Sequence, residues 1–281
     1  MQRQQLSQRP DYFEINPESP LARGLVFAGL GGGARSLKYV DSSPYGNHGT
    51  LAASDVSWST YFGRSGLEFA DADEDYVTLD RIWPMNGPLT IAAHVWNEDA
   101  SWPRLACREW MPLNGESSGQ SGIQICRQED SELTFVRRSA SGNMCLKRTA
   151  SGILVRNYHH VCATWDGTSG GSGATIYLDG TDAGSAVSTG SGTPDAITET
   201  RVGFACNSFG GGDTHRAFDV LAWDRVLTLS EIQQLADPGN VMLSGLVSPP
   251  RRRFYPVISG GAPPATIIPR IMHHRRLMGV S

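Results

Sequence analysis

The sequence has no long apolar run and no signal-peptide-like start. No apolar stretch among its 281 residues is long enough to cross a bilayer as a helix, so membrane insertion is not expected. Residues 1–20 are polar and lack the apolar segment of a secretory signal. We therefore expect synthesis in a cytoplasm without a signal peptide.

Cysteine is sparse and follows no metal-binding or redox spacing. An odd number of cysteines argues against a complete disulfide framework, and the absence of a CxxC pair argues against zinc or redox chemistry. We interpret the five as reduced, partly buried strand residues: Cys107, Cys126, Cys145, Cys162 and Cys206.

Glycine is abundant, and most segments are short alternating runs between Gly, Asp, Asn, Ser or Pro, which is typical of an all-β sandwich. Residues 76–79 and 89–96 are predicted strands because of their β-branched and aromatic content. Asp179-Gly180 predicts a tight hairpin turn. The only predicted helix covers residues 231–236, with Ser230 as its N-cap.

Six short strings, in this order and spacing, resemble the laminin-G-like, concanavalin A-like jelly-roll family: LVF at 25–27, Asp41 followed by SSPYGNHG at 42–49, GLEF at 66–69, YHHVCATWDG at 158–167, IYLDG at 176–180 and WDRVLTLSEI at 223–232. The resemblance implies an all-β, two-sheet antiparallel jelly-roll sandwich over residues 21–240. Extended arms would occupy residues 1–20 and 241–281. Members of that family mostly bind other molecules, but a fold alone does not name a ligand.

The C-terminal segment is basic and rich in proline. The whole chain carries a formal net charge of −4, and no acidic residue follows Asp237. The segment after Asp237 has six arginines and a charge of +6, so residues 1–237 carry −10. A flexible basic tail and a nucleic-acid-binding tail are two interpretations, and the acidic body argues against the second. We favour an arm that docks on another subunit, because extended apolar segments recover their ordering entropy only by burial. Its candidate contact residues are Arg251, Arg252, Arg253, Phe254, Tyr255, Ile267, Ile268, Arg275 and Arg276.

Enzymatic chemistry has little support in the sequence. Glycosidases of this fold need two carboxylates that flank the sugar bond, and no strand carries an acidic, apolar, acidic pattern. The adjacent His159 and His160 point to opposite faces of a strand and cannot share one ion. We expect a non-enzymatic protein, with glycoside hydrolase or lyase activity as a distant alternative.

The family resemblance also implies a structural Ca²⁺ site. Asp41 and Asn47 match the loop residues that can hold calcium in the family, and Asp219 is the acid kept near the last strand. Phe218 stands where the family tends to have a further aspartate. The alternative is that Asp41 and Asn47 make turn hydrogen bonds to the backbone.

A glycan-binding surface would use exposed aromatic side chains near loops. The candidates are Trp58, Tyr61, Trp102 and Trp110, with Trp83 also near a predicted loop. Tryptophan in a sandwich is more often part of the core.

Two functions remain. One is a structural or surface subunit, such as a capsid decoration, of a virion-like particle, bound to copies of itself or to other structural proteins. This combination of body and arms resembles the laminin-G-like proteins found among phage structural proteins. The alternative is a free carbohydrate-binding, lectin-like adhesion module. The basic apolar tail favours the first, since a free lectin gains nothing from it.

Overall fold

The structure, a computed structural model, describes residues 13–30, 38–51, 56–61, 64–69, 76–83, 86–97, 110–116, 121–125, 132–139, 142–152, 157–185, 187–204, 215–237 and 245–248. By its contacts the chain divides into Met1–Pro249 and Pro250–Ser281. All described residues belong to the first unit. Trp102 and the predicted arm residues from 249 onward lie outside the described residues.

Seventeen strands and one α-helix are described. In chain order they are β1 (Leu25–Gly29), β2 (Lys38–Tyr39), β3 (Gly49–Leu51), β4 (Val56–Tyr61), β5 (Arg64–Phe69), β6 (Tyr76–Leu79), β7 (Leu89–Asn97), β8 (Trp110–Glu116), β9 (Ser121–Ile125), β10 (Glu132–Ser139), β11 (Gly142–Gly152), β12 (Tyr158–Trp165), β13 (Ala174–Leu178), β14 (Thr181–Asp182), β15 (Val187–Thr189), β16 (Glu199–Phe204), β17 (His215–Trp223) and α1 (Leu229–Ala236). Two short 3₁₀ turns cover Pro20–Ala22 and Gly171–Gly173.

The strands form two antiparallel sheets. The eight-stranded sheet runs β14-β13-β12-β7-β17-β5-β4, and β1 pairs with β17. The nine-stranded sheet runs β15-β11-β10-β9-β8-β16-β6-β3-β2. Sequence-distant strands such as β7 and β17 lie side by side, with His94 opposite Phe218. The prediction of an all-β, two-sheet antiparallel jelly-roll sandwich is confirmed.

The main core lies between the two sheets and follows the two-residue period of the strands. On β7, Ile91 and Val95 point inward, and on the neighbouring β12, Val161 does the same. Burial of each such aliphatic side chain contributes about 1.5–3 kcal/mol. Phe69, Val77 and Ile176 are also buried in this core, and Leu178 is partly buried against it.

A second apolar cluster covers the outer face of the eight-stranded sheet. Ile232 and Leu235 of α1 pack there with Trp223, whose indole N–H donates to the Leu21 carbonyl at 2.7 Å. Phe13 and Leu246 join the same cluster. Residues 13–20, assigned to an arm from the sequence, therefore belong to the folded body.

The first and last described segments of the chain are held together by backbone pairing. Asn16 N–H donates to the Leu246 carbonyl at 2.8 Å, and Ser248 N–H donates to the Glu14 carbonyl at 2.8 Å. The folded body therefore includes residues on both sides of the 21–240 range predicted from sequence.

The helix begins two residues earlier than predicted. Thr228, not Ser230, is the N-cap: its hydroxyl accepts the Glu231 N–H, and the Glu231 carboxylate accepts the Thr228 N–H. A reciprocal capping box needs a Glu or Gln three residues after the cap, and both Thr228, with Glu231, and Ser230, with Gln233, meet this condition, so the sequence pattern alone does not decide between them. No helix in the described ranges is long and apolar enough to span a membrane.

Cys145 and Cys162 are free and buried, as the sequence predicted. Burial raises the pKa of the Cys145 thiol to about 12 and that of Cys162 higher still. Both thiols are therefore protonated and unreactive at neutral pH. The other three cysteines lie outside the described residues.

Candidate functional site

The loop between β2 and β3 is organised around one buried carboxylate. Asp41 is fully buried. Its Oδ1 accepts the N–H groups of Ala28 and Ser43, both at 2.8 Å. Its Oδ2 accepts the Asn47 N–H at 2.6 Å and the Ser43 hydroxyl at 2.7 Å. Gly46 takes the positive φ of 56° that turns the loop back on itself.

Asn47 joins this loop to the segment that follows β6. Its Oδ1 accepts the Arg81 N–H at 2.6 Å, and its Nδ2 donates to the Arg81 carbonyl at 2.9 Å. One side-chain amide thus holds both backbone groups of Arg81. The position of Arg81 and its neighbours is fixed relative to the loop, although the two lie 34 residues apart in sequence.

These two segments enclose a small cavity, the Trp83 pocket, of about 150 Å³. Its lining residues are Val26, Phe27, Tyr45, Asn47, Leu79, Arg81, Ile82, Trp83 and Thr200. Trp83 is partly buried against the core, and its backbone N–H donates to the buried Thr200 hydroxyl at 2.8 Å. Strand β16 therefore holds Trp83 in place from a position 117 residues away in sequence.

The rim of the Trp83 pocket is apolar and open to solvent. Tyr45 and Ile82 are each 52% exposed, which makes them two of the four exposed large apolar side chains in the described part of the chain. Arg81 is also exposed, and its Nη1 donates to the Tyr45 carbonyl at 3.2 Å. The pocket combines aromatic and aliphatic surface with one cation, and none of the described residues that line it is acidic.

Residues 71–233, more than half of the chain, match the family described as the concanavalin A-like lectin/glucanases superfamily. The chain belongs to this superfamily. No curated protein matches the chain.

This lectin/glucanase-type sandwich is also similar to solved structures. The binding domain of botulinum neurotoxin DC, in complex with rat synaptotagmin II, aligns with a TM-score of 0.60 at 13% identity, over 77% of this chain and 52% of that one. A structure of botulinum neurotoxin type C, whose cell entry depends on two ganglioside molecules, gives 0.58 at 12% identity, over 77% and 51%. Trypanosoma rangeli sialidase gives 0.53 at 18% identity, over 82% and 36%.

At these identities the similarity establishes the fold alone. The chain spans about half the length of the toxin chains and 36% of the sialidase chain. The activity of those whole proteins is therefore not carried over.

The aromatic residues predicted to bind glycans are not brought together in the described part of this superfamily member. Trp58 of β4 is partly buried and packs against the core and against Tyr39, with ring centroids 6.0 Å apart, and it does not line the Trp83 pocket. Tyr61 and Trp110 are placed in β4 and β8 by their backbones, and their side chains lie outside the described residues. Trp83, named only as a further candidate, lines the pocket.

Sequence reasoning did not identify Tyr45, Arg81, Ile82 and Thr200 as site residues. Tyr45 lies in the family-like loop string, where only Asp41 and Asn47 were considered. An apolar pair, Ile82-Trp83, directly after the charged Asp80-Arg81 is the signal that could have drawn attention to the rim. The contribution of Thr200 had no sequence signal, because it depends on a pairing across the sheet.

The side-chain oxygen atoms of Asp41 and Asn47, the loop residues predicted to hold calcium, already accept hydrogen bonds from other residues. Both oxygens of Asp41 accept two hydrogen bonds each, and both amide atoms of Asn47 bond Arg81. Ca²⁺ takes six to eight oxygen ligands. The described residues contain no cluster of three or more His, Cys, Asp or Glu placed to hold a metal. The described arrangement therefore does not fit a calcium ion. Asp41 makes a turn hydrogen bond, with the Ser43 N–H, whereas Asn47 bonds the backbone of Arg81, 34 residues away.

Asp219, the third residue predicted to hold calcium, lies at an irregularity of β17 close to a histidine. Its φ is +47°, and its Oδ2 lies 3.6 Å from His94 Nδ1.

Burial raises the pKa of Tyr39 well above its usual range, and the carboxyl groups of Asp219 and Asp41 raise it further. Tyr39 therefore stays protonated and donates to the Gly29 carbonyl at 3.1 Å.

His159 and His160 are both buried and contact different groups. His159 Nδ1 lies 2.7 Å from Asp179 Oδ2, while the His160 ring lies 4.9 Å from that of His94. Burial alone would raise the pKa of Asp179, but the hydrogen bonds from His159 and from the His160 N–H lower it overall. Asp179 is therefore ionised at neutral pH and fixes the start of the β13–β14 hairpin.

Proposed function

We propose that this protein is a non-catalytic carbohydrate-binding module and that the Trp83 pocket holds the saccharide. The observation that carries the proposal is the exposed Tyr45 and Ile82 rim beside Trp83. Aromatic and aliphatic side chains pack against the C–H faces of sugar rings, and contiguous exposed apolar surface beside a pocket is typical of a binding site.

The size of the pocket indicates how much of a ligand it would enclose. Its volume of about 150 Å³ is below the roughly 300–1,000 Å³ of sites that enclose drug-sized molecules. A single saccharide unit at the end or on the side of a glycan therefore suits it better than a long enclosed chain. The backbone clamp by Asn47 and the Thr200 hydrogen bond make the walls rigid before binding, which lowers the entropic cost of association.

A binding role without hydrolysis follows from the chemistry of the lining. Glycoside hydrolysis uses a pair of carboxyl groups about 5–10 Å apart on either side of the sugar bond. The described lining residues of the Trp83 pocket include no carboxylic acid. The proposal is therefore of a lectin-like module, and incubation with saccharides should release no reducing sugar.

Attachment to a larger particle is a second proposal. The +6 charge and apolar content of the C-terminal segment, opposite an acidic remainder, favour docking on another subunit of a virion-like or other surface assembly. In such an assembly the sandwich would display the Trp83 pocket, and the segment after residue 248 would supply the attachment.

The test is a glycan-array screen of the full-length protein, followed by calorimetric titration with the best saccharide. Tyr45→Ala and Ile82→Ala should each weaken binding at least about tenfold, equivalent to about 1.4 kcal/mol. Leu229→Ala is the matched control, because Leu229 is 50% exposed but lies at the start of α1, outside the pocket. Unchanged affinity in both pocket variants, or an equal loss in the control, would rule out this site.

A further inference from the structure

We propose that Arg81 makes the Trp83 pocket selective for saccharides that carry a carboxylate over their neutral counterparts. This inference rests on the proposed carbohydrate-binding function and names the ligand class of the same site. It depends on the charge, the orientation and the surroundings of one guanidinium group.

Among the described residues, Arg81 is the only charged side chain that lines the pocket. Asp80 precedes it in the chain but is not a lining residue. Asp41 lies in the supporting loop, and its two oxygens are already occupied by four donors beneath the surface. A ligand that enters the pocket therefore meets a cation without a competing carboxylate at the described wall.

The guanidinium is oriented before any ligand arrives. Asn47 holds the Arg81 backbone at both its N–H and its carbonyl, and Arg81 Nη1 donates to the Tyr45 carbonyl. A guanidinium has five N–H donors, and this bond uses one. The rest of the planar group can make a bidentate contact, which carboxylates match in geometry and which is stronger than a bond between neutral groups.

The surroundings distinguish a single acidic sugar from a polyanion. Nucleic acids and other phosphate polymers are held by several cations at once, whereas the described lining of the pocket supplies one. The adjoining surfaces of Tyr45, Ile82 and Trp83 instead provide apolar area for a ring. One carboxylate attached to one sugar ring satisfies both the cation and the apolar wall.

The experiment compares an acidic oligosaccharide, such as an oligouronate, with the same oligosaccharide after chemical reduction of its carboxyl groups to alcohols. Calorimetric titrations use the full-length wild type, Arg81→Gln, Arg81→Lys and the control Arg23→Gln. Arg23 is an exposed arginine outside the Trp83 pocket, so its substitution makes the same change in net charge.

The wild type should bind the acidic form at least about tenfold more tightly than the reduced form. Arg81→Gln should lower affinity for the acidic form much more than affinity for the reduced form, so that most of the preference is lost. Arg81→Lys should retain part of the preference, because lysine keeps the positive charge but lacks the planar group that can make a bidentate contact. Arg23→Gln should match the wild type.

Three results would overturn the inference. Equal wild-type affinity for both forms would do so while leaving the carbohydrate-binding function intact. An equal loss for both forms in Arg81→Gln would make Arg81 a wall residue without selectivity. Absence of binding to either form, and to every other saccharide tested, would overturn the proposed function and the inference together.

Discussion

At the scale of the residue, Asp41 shows how hydrogen bonds from three neighbouring residues can hold a buried carboxylate at the centre of a loop. Removal of a carboxylate from water is costly unless its oxygens are hydrogen-bonded. Four donors from Ala28, Ser43 and Asn47 provide this compensation. The family-like loop string made Asp41 conspicuous, but the string alone did not distinguish metal coordination from bonding to the backbone. That choice depends on where Ala28 of β1 lies, which a local pattern does not contain.

Asp41→Asn should destabilise the protein by about 2–4 kcal/mol, because an amide NH₂ would face N–H and O–H donors and leave at least one of them unsatisfied. Denaturant unfolding at neutral pH measures the change. Asp182→Asn is the control: Asp182 is exposed and accepts one local bond from Gly184 N–H at 2.8 Å, so its effect should stay within about 0.5 kcal/mol. Equal effects of the two substitutions would contradict the role given to Asp41.

At the scale of the element, periodicity and turn residues were sufficient for much of the fold. Residues 76–79 and nearly all of β7 were predicted because alternating β-branched and aromatic residues need no long-range information. The Trp83 pocket was not predictable in this way. It requires β6 to lie between β3 and β16, which places residues of sequence-distant segments around one cavity.

Helix α1 is tied to the sandwich by an ion pair whose strength depends on pH. Arg225 donates to both oxygens of Glu231, at 2.7 and 3.0 Å, and also to the carbonyls of Pro20 and Arg23. The hydrogen bonds from Arg225, followed by those from Thr228, lower the pKa of Glu231 from 4.5 to about 2. A carboxyl group with a lowered pKa stabilises the fold above its unfolded-state pKa, and this contribution is lost as the pH falls toward the folded value.

Glu231→Gln should therefore be less stable than the wild type between pH 5 and pH 7, with a difference that shrinks below about pH 4.5 and vanishes near pH 2. Chemical unfolding across this pH range measures the difference. Ser230→Ala on the same helix should change stability by less than about 0.5 kcal/mol, because the N-cap is Thr228. A difference that is constant down to pH 2, or a large loss in Ser230→Ala, would contradict the capping and ion-pair assignment.

At the scale of the whole molecule, the described strands and both described apolar clusters lie within the first unit of the chain. These clusters and the terminal backbone pairing are formed by residues from 13 to 248. The charge contrast between the segment and the rest of the chain was visible in the sequence because charge is a matter of composition. The binding partner of the C-terminal segment could not be predicted from the sequence, because composition does not specify a docking surface.

Deletion of residues 249–281 should leave the thermal unfolding temperature within about 2–4 °C of that of the full-length protein, since no residue of either described core cluster is lost. Light scattering should show the full-length protein as an oligomer and the truncated protein as a monomer. A full-length monomer, or an oligomer that survives truncation, would contradict the arm proposal and leave the carbohydrate-binding proposal untouched.

The most direct test of the central claim is to map the bound saccharide by ¹H–¹⁵N NMR titration of the full-length protein. We expect the largest saturable shifts at Tyr45, Asn47, Arg81, Ile82 and Trp83, with a smaller effect at Thr200 behind the wall. Saturable shifts confined to the outer face of the eight-stranded sheet or to another edge, with these residues unmoved, would contradict the assignment of the Trp83 pocket as the carbohydrate site.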